Sequence, residues 1–141
     1  MKEVQRVVVG GVIFNKEDKV LILKRLSSED VLPNIWELPS GKVDFNENPN
    51  NSIIREVKEE TNLDTSIITP FHIFDYLIKK DDYTRHSVQI NYLLKSLSNE
   101  VKLCPDEHDK FAWISKDEIS DYDLTPETKS TIIKAFDKKN K

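Results

Sequence analysis

The stretch GKVDFNENPNNSIIREVKEETNL, residues 41–63, concentrates acidic side chains behind a loop that begins with glycine. Glu56, Glu59 and Glu60 fall at positions i, i+3 and i+4, which share one face of an α-helix with Cβ atoms about 5–6 Å apart. Like charges at this spacing repel each other unless a cation lies among them. Carboxylate oxygens are the ligands that hard divalent ions such as Mg²⁺ and Mn²⁺ prefer. The pattern therefore predicts a helix that helps to hold a divalent metal ion.

The spacing of these residues resembles the Nudix (MutT-like) box, G-x5-E-x7-R-E-U-x-E-E-x-G-U, in which U is a bulky aliphatic residue. The matching positions are Gly41, Glu47, Arg55, Glu56, Val57, Glu59, Glu60 and Leu63. Asn62 departs from the pattern because it stands where the family usually has Gly. Asn tolerates the left-handed conformation that ends many helices, so we expect the turn to be kept. The same argument covers Asn46, in the loop, where relatives often carry Gly.

The chain length fits one domain, residues 1–141, with a core that needs no disulfide. Alternation and turn residues predict strands at about 6–14, 20–24, 67–78, 87–94 and 111–114, a short extended piece at 35–38, and helices at 49–61, 116–119 and 126–138. Segments 26–34 and 79–85 are predicted as a loop and a charged tip, with a bend at 39–41. The resemblance implies an α/β (α+β) fold, a Nudix-type α/β/α sandwich with a mixed β-sheet.

Composition limits the classes of partner and the compartment. The chain has 21 Lys plus Arg against 25 Asp plus Glu, a net charge of −4, so it has no basic excess to hold a nucleic acid polymer. No stretch approaches the roughly 18–20 apolar residues of a membrane helix, so no membrane partner is expected. The single Cys104 excludes an intramolecular disulfide and favours a reducing cytoplasm. The partner expected is a small nucleotide, and the chain is equally compatible with a monomer or a homodimer.

The resemblance implies a reaction in which water attacks phosphorus in a nucleoside diphosphate linked to another group. The cofactor that it implies is Mg²⁺, with Mn²⁺ as the alternative. It assigns metal binding to Glu47, Glu56, Glu59, Glu60 and Gly41. Arg55 receives an orienting role in catalysis, because the loop acid of the family tends to pair with the box arginine. Helical geometry also allows Arg55 to meet Glu59 at i,i+4.

A further carboxylate is expected from the segment CPDEHDKFAW, where Glu107 lies six residues before Trp113. MutT-like relatives carry a site acid at that spacing, although a solvated charged loop is an equal alternative. The general base therefore stays open between Glu56, Glu59 and Glu107, since the role depends on geometry.

Other polar residues have weaker signals. Arg25, after the second strand, is predicted to contact a substrate phosphate, as is Gly41, with an exposed strand-end arginine as the alternative for Arg25. His86 and His108 are expected to be surface or loop groups and not metal ligands, because no second His or Cys lies at ligand spacing.

The leading hypothesis is a Mg²⁺-dependent pyrophosphohydrolase that converts a nucleoside triphosphate, with or without an oxidised base, to a nucleoside monophosphate and pyrophosphate. The alternatives are a pyrophosphatase of ADP-ribose or a nucleotide sugar, and a non-catalytic module that senses a nucleotide. Degenerate members of the family lose box carboxylates, and here all of them persist, which favours an enzyme. An RNA-cap hydrolase is disfavoured by the lack of a basic excess. Substrate selection is expected in loop 26–34 and tip 79–85.

Overall fold

A seven-stranded mixed sheet forms the centre of the computed structural model, which describes residues 2–140. The strands are β1 (Lys2–Phe14), β2 (Val20–Arg25), β3 (Trp36–Glu37), β4 (Ser40–Lys42), β5 (Thr65–Lys79), β6 (Tyr83–Ser96) and β7 (His108–Ile114). The helices are α1 (Pro49–Thr61), a 3-10 helix (Lys116–Asp121) and α2 (Pro126–Lys139). The predicted limits of the domain, positions 1 and 141, lie outside the described residues.

Strand β1 is the centre of the sheet. It runs parallel to β6 from the pair Lys2–Tyr83 to the pair Phe14–Lys95, and β6 is antiparallel to β5. On its other side β1 turns into β2, which pairs with β3 and β7, while β4 pairs antiparallel with β1. The register of β4 sets Gly41 opposite Val9. The residue that opens the acidic stretch is therefore fixed against the middle of the sheet.

Each face of the sheet is covered by one main helix. Ile53 and Val57 of α1 are fully buried in one apolar cluster with Val9, Ile13 and Leu94. On the opposite face, α2 packs against the sheet in a second apolar cluster. Its members include Ile132, Ala135 and Phe136 of α2 and Val12, Phe14 and Leu93 of the sheet. Burial of these side chains is the main favourable contribution to folding. The predicted α/β/α sandwich with a mixed sheet is confirmed.

Helix α1 begins and ends at the predicted residues. The side chain of Asn48 accepts a hydrogen bond from the Asn50 N–H, and Pro49 occupies the first turn, where its missing N–H costs nothing. The helix ends at Asn62, whose φ of 69° is left-handed, and Asn46 has a φ of 64°. Both asparagines adopt the conformation that the sequence predicted for them.

The tip and the bend differ from the prediction. Tyr83, Thr84 and Arg85 belong to β6 and not to a loop, because they pair with Lys79 and its neighbours on β5 and with Lys2–Val4 of β1. Only Lys80–Asp82 lies between the two strands. The predicted bend at 39–41 overlaps strand β4, since Ser40–Lys42 pairs with β1. Within residues 2–140, no helix is both long and apolar enough to cross a membrane.

Candidate active site

Arg55 lies at the centre of the acidic stretch. Its Nε and Nη2 each donate a hydrogen bond of 2.8 Å to Glu47, and its Nη1 donates to Glu56 Oε1 at 2.8 Å. Nη1 also donates to Glu59 Oε2 at 3.2 Å. The structure therefore contains both contacts that the sequence allowed for Arg55, and one guanidinium brings three carboxylates together. In turn, these acceptors raise the pKa of Arg55, chiefly through Glu47.

Glu47 is held by donors from three residues. Besides Arg55, the Ser52 hydroxyl donates to Oε1 at 2.6 Å, and the Asp44 N–H donates to the same oxygen at 3.1 Å. The hydrogen bond from Arg55 is the main reason that the pKa of Glu47 is lowered to about 2. Glu47 is thus ionised, and both of its oxygens already accept hydrogen bonds from the protein.

Gly41 lies directly against the carboxyl group of Glu56. A Cβ atom at position 41 would lie 2.0 Å from Cδ of Glu56, so the Glu56 side chain would have to move away. Because Gly41 does not have a positive φ, space and not backbone conformation requires glycine here. The pKa of Glu56 is raised by burial, against the opposing effect of Arg55. The close approach of β4 therefore encloses the Glu56 carboxylate.

Glu60 is the most buried acid of the helix, with 6% of its surface exposed. Its Oε1 accepts a hydrogen bond of 2.9 Å from the Ser40 N–H. Burial is the main cause that raises the pKa of Glu60 to about 9; the charges of Glu107, Glu37 and Glu56 act in the same direction, and the hydrogen bond from Ser40 opposes them. A buried carboxylate surrounded by other carboxylates is stabilised in its charged form by a cation. The oxygen atoms available as metal ligands here belong mostly to carboxylates, which suits a divalent ion of the Mg²⁺ type.

Glu59 and Glu107 are the accessible acids. The Glu59 side chain is 58% exposed, and Glu107 is exposed in the turn that leads into β7. The structure nevertheless brings Glu107 to Glu60: one carboxylate oxygen of each lies within 4.8 Å of the other and of a His108 ring nitrogen. The charged loop 106–109 is therefore not only a solvated surface.

The expectation that His108 is a surface group is wrong, because its side chain is only 3% exposed. A register shift in the pairing of β2 with β7 sets His108 opposite Arg25. There Nε2 of His108 lies 2.8 Å from Glu37 Oε2. His86 is different: it is partly exposed and pairs with Asp75 at 2.8 Å. Local sequence could not identify His108 as buried, because its environment is built by β2 and β3.

A cleft of about 870 Å³ extends from Glu60, Glu107 and His108 across the face of the sheet that carries α2. Loop 26–34 contributes Glu29, Asp30, Val31 and Leu32 to its lining, and the tip region contributes Lys80, Tyr83 and Arg85. Both segments in which the sequence placed substrate selection thus line one cleft, together with Glu60 and Glu107. Its aromatic lining residues include Trp36, Phe74 and Tyr76.

Arg25 and Arg85 both line the cleft, but they differ in their hydrogen bonding. Arg25 donates to the Val31 carbonyl at 2.9 and 3.1 Å and to Glu29 at 3.2 Å, so its guanidinium fixes the loop. Arg85 has a buried Nε for which residues 2–140 supply no hydrogen-bond partner. The sequence predicts Arg85 only as the last residue of tip 79–85 and not as a functional residue by itself. The missed signal was the period-two row of polar residues on β6, Arg85, Ser87, Gln89 and Asn91.

A family model described as the NUDIX domain matches residues 4–136, which include every acid described above. The nucleoside triphosphatase NudI of Escherichia fergusonii is 29% identical over 135 residues, which cover 91% of this chain and 94% of that protein. An RNA pyrophosphohydrolase of Ruthia magnifica subsp. Calyptogena magnifica is 32% identical over 122 residues, or 75% of this chain and 65% of that protein. A crystal structure of a MutT NUDIX hydrolase from Burkholderia pseudomallei superimposes with a TM-score of 0.74 at 28% identity, covering 91% of this chain and 95% of the other.

Proposed function

The chain belongs to the Nudix family of hydrolases, which act on phosphoric anhydride bonds and generally use divalent metals, and from that premise we propose that it hydrolyses a nucleoside triphosphate. The products are a nucleoside monophosphate and pyrophosphate, and triphosphates with an oxidised base are among the candidate substrates. The observation that carries the proposal is the convergence of Glu47, Glu56 and Glu59 on Arg55, on the helix whose Glu60 lines an open cleft together with Glu107. The name of the NudI relative supports a triphosphate as the substrate.

We assign metal binding to Glu56, Glu59 and Glu60, with Glu107 and the Gly41 backbone as further contributors. A largely carboxylate donor set favours Mg²⁺, with Mn²⁺ as the alternative. When bound, the metal ion neutralises charge on the phosphate oxygens and lowers the pKa of a bound water molecule. Glu47 acts through Arg55, because both of its oxygens already accept hydrogen bonds from the protein.

The protein groups have separate tasks in this proposal. Arg55 holds Glu56 and Glu59 in place before the substrate arrives, which reduces the reorganisation needed in the transition state. In the absence of metal, Glu60 keeps a proton at neutral pH, since burial raises its pKa to about 9. The general base that accepts the proton of the attacking water is one of Glu56, Glu59 and Glu107, and their Gln variants separate the three.

The cleft beyond the acids is proposed to hold the nucleoside and the remaining phosphates. Arg85 offers a positive charge there and an N–H that has no hydrogen-bond partner within residues 2–140, whereas Arg25 is already bonded to its own loop. Aromatic side chains such as Phe74 and Tyr76 offer flat apolar surface for a base. The net charge of −4 makes a small nucleotide a better match than an RNA chain. A cytoplasmic location, supported by the free Cys104, stays part of the proposal.

The test is a product-release assay on the purified chain with and without Mg²⁺. The panel contains nucleoside triphosphates, oxidised purine triphosphates, ADP-ribose, nucleotide sugars and 5′-triphosphorylated RNA. We expect Mg²⁺-dependent release of pyrophosphate from a triphosphate. Glu59→Gln and Glu60→Gln should each lower the rate at least 100-fold, as expected for loss of a charge that acts in the transition state. Glu100→Gln, which alters an exposed acid paired with Lys102, is the matched control.

Three results would change the proposal. Near-normal rates in both variants would overturn the assignment of the site. Preferred cleavage of ADP-ribose or a nucleotide sugar would keep the family chemistry and replace the substrate. Binding of nucleotide without turnover of any compound would instead favour a sensing module.

A further inference from the structure

Gln89 of β6 and Phe74 of β5 lie directly opposite each other in the ladder that joins these strands, and both residues line the cleft. Residues paired across antiparallel strands have Cβ atoms about 4.5–5.5 Å apart. Tyr76 continues the aromatic row, with its ring centroid 6.1 Å from that of Phe74. An aromatic surface and an amide group therefore meet at one place in the cleft. Such a place suits a nucleobase, whose face stacks on aromatic rings and whose edge forms hydrogen bonds.

The Gln89 amide is held in one direction by Asn91. Nε2 of Gln89 donates a hydrogen bond of 2.9 Å to Asn91 Oδ1, and the two residues are only 7% and 0% exposed. A side-chain amide has one acceptor oxygen and two N–H donors. The bond to Asn91 uses one of the donors, which leaves Gln89 an oxygen and an N–H side by side to offer to a ligand in the cleft.

Gly10 of β1 makes room for this amide pair. A Cβ atom at position 10 would lie 2.5 Å from Gln89 Nε2 and 2.6 Å from Asn91 Oδ1, so both side chains lie over the Gly10 backbone. Gly10 pairs with Asn91 on one side and with Ser40 on the other, and two strand spacings place Asn91 roughly 10 Å from Ser40. The Ser40 N–H is the donor to Glu60. The amide pair therefore lies within the length of a nucleotide from that acid.

Unpartnered polar atoms beside the pair support a role in binding. Asn91 Nδ2 and Ser87 Oγ are buried and have no hydrogen-bond partner among residues 2–140. Such atoms cost free energy, and native proteins rarely leave one unexplained. Leu93, the next residue on this face of the strand, is apolar and packs in the α2 cluster. The polar row thus ends where that apolar cluster begins, which is what a polar ligand in the cleft requires.

We propose that Gln89 recognises the hydrogen-bonding edge of the substrate's nucleobase while the base lies against Phe74. Asn91 and Gly10 are positioning residues for the Gln89 amide. The inference rests on the proposed function, in that the cleft holds a nucleotide. An amide fixed in one direction distinguishes an amino group beside a ring nitrogen, as in adenine and cytosine, from a carbonyl beside a ring N–H, as in hypoxanthine and uracil. The two kinds of edge reverse donor and acceptor, and the wrong order leaves buried polar groups unpaired.

The experiment is a calorimetric titration of the full chain with AMP, IMP, CMP and UMP in the presence of Mg²⁺, and with pyrophosphate as a ligand that has no base. AMP and IMP differ in the order of donor and acceptor on one edge, as do CMP and UMP. In the native chain we expect Kd to differ by about fivefold or more within at least one of these pairs, as for a bidentate contact. Gln89→Met and Gly10→Ala should abolish that difference but leave the affinity for pyrophosphate unchanged. Gln5→Met is the matched control, because Gln5 is exposed and bonds His86.

The native chain alone decides the proposal if a variant fails to fold. Equal affinities within both pairs, or binding of none of the four nucleotides, would overturn it, as would a native ratio of affinities in a folded Gln89→Met. These results leave Mg²⁺-dependent hydrolysis of a triphosphate, and hence the proposed function, untouched. Conversely, base-selective binding by a chain that cleaves no nucleotide would support the role of Gln89 and overturn the proposed function.

Discussion

Arg55 and Glu47 form a two-point ion pair in which Nε and Nη2 of the arginine each lie 2.8 Å from a different carboxylate oxygen. The third nitrogen, Nη1, remains available and lies 2.8 Å from Glu56 Oε1. A planar guanidinium offers five donors at fixed angles, whereas the ammonium of lysine is a point charge. Arg55 thus neutralises part of the acidic cluster and also fixes the direction of its carboxylates.

Replacement of Arg55 by lysine should separate these two effects. Arg55→Lys keeps the positive charge but cannot hold Glu47 and Glu56 at once, so Glu56 should move. A misplacement of about 1 Å in a catalytic arrangement can cost about 100-fold in rate, and we expect a loss of kcat of that order with little change in KM. Lys58→Gln is the control on the same helix, since Lys58 pairs with the exposed Asp64. Native-like kcat in Arg55→Lys would show that charge alone suffices.

Gly41→Ala should disturb the site by a steric clash with Glu56. The added Cβ would lie 2.0 Å from Cδ of Glu56, and Glu56 cannot yield without leaving Arg55. We expect activity to fall by about 100-fold, while overpacking lowers the free energy of unfolding by about 1–3 kcal/mol. Ser40→Ala is the neighbouring control, because Ser40 bonds Glu60 through its backbone N–H. Steady-state rates and thermal melts of both variants check this, and full activity in Gly41→Ala would contradict the close contact.

Local sequence predicted α1 to the residue because all of its signals are local. Asn48 caps the helix, Pro49 fits its first turn, and Asn62 ends it at a φ of 69°. The three acids at i, i+3 and i+4 needed only the helical period to come together. Arg55 likewise found Glu59 by helical spacing. The part of the site that lies on this one element was therefore predictable without knowledge of the rest of the fold.

The remaining part of the site depends on contacts between residues distant in sequence. His108 is buried because it pairs across to Arg25 and bonds Glu37, which is 71 residues away in sequence. Arg85 faces the cleft because β6 runs parallel to β1 along its full length, which makes a strand out of a segment rich in turn-forming and charged residues. Alternation within a short window carries no information on such pairings. The sequence therefore predicted the acids of the site but not the burial of His108 or the individual role of Arg85, which lines the same cleft.

Arg85→Gln should affect substrate binding more than the chemical step. If the guanidinium meets an anionic or acceptor group of the substrate in the cleft, its loss removes a charge-assisted hydrogen bond of about 1.5–3 kcal/mol. We expect KM for the preferred triphosphate to rise about 10-fold to 100-fold, with kcat within about threefold of native. Lys95→Gln removes an exposed charge from the same strand and is the matched control. An unchanged KM together with a lower kcat would show that Arg85 does not contribute to substrate binding.

The stability of the metal-free chain should fall as the pH rises from about 5 to 9. The pKa of Glu60 is about 9 in the folded chain against 4.5 as the ordinary value, so in this interval the folded state holds a proton at Glu60 that the unfolded state has lost. The unfolding free energy then decreases with pH, by at most about 1.4 kcal/mol per pH unit for one group. The lowered pKa of Glu47, about 2, changes the unfolding free energy only below this pH interval.

Glu60→Gln isolates the effect, because the amide cannot titrate. Thermal melts in a chelating buffer at pH 6 and pH 8 should show a smaller drop in Tm for Glu60→Gln than for the native chain, by a few degrees at the usual conversion of free energy to Tm. Saturating Mg²⁺ should reduce the native drop as well, since an ion that replaces the proton binds more tightly at higher pH. Equal slopes in the native chain and Glu60→Gln would mean that Glu60 is ionised in the folded chain at neutral pH, even without a metal ion.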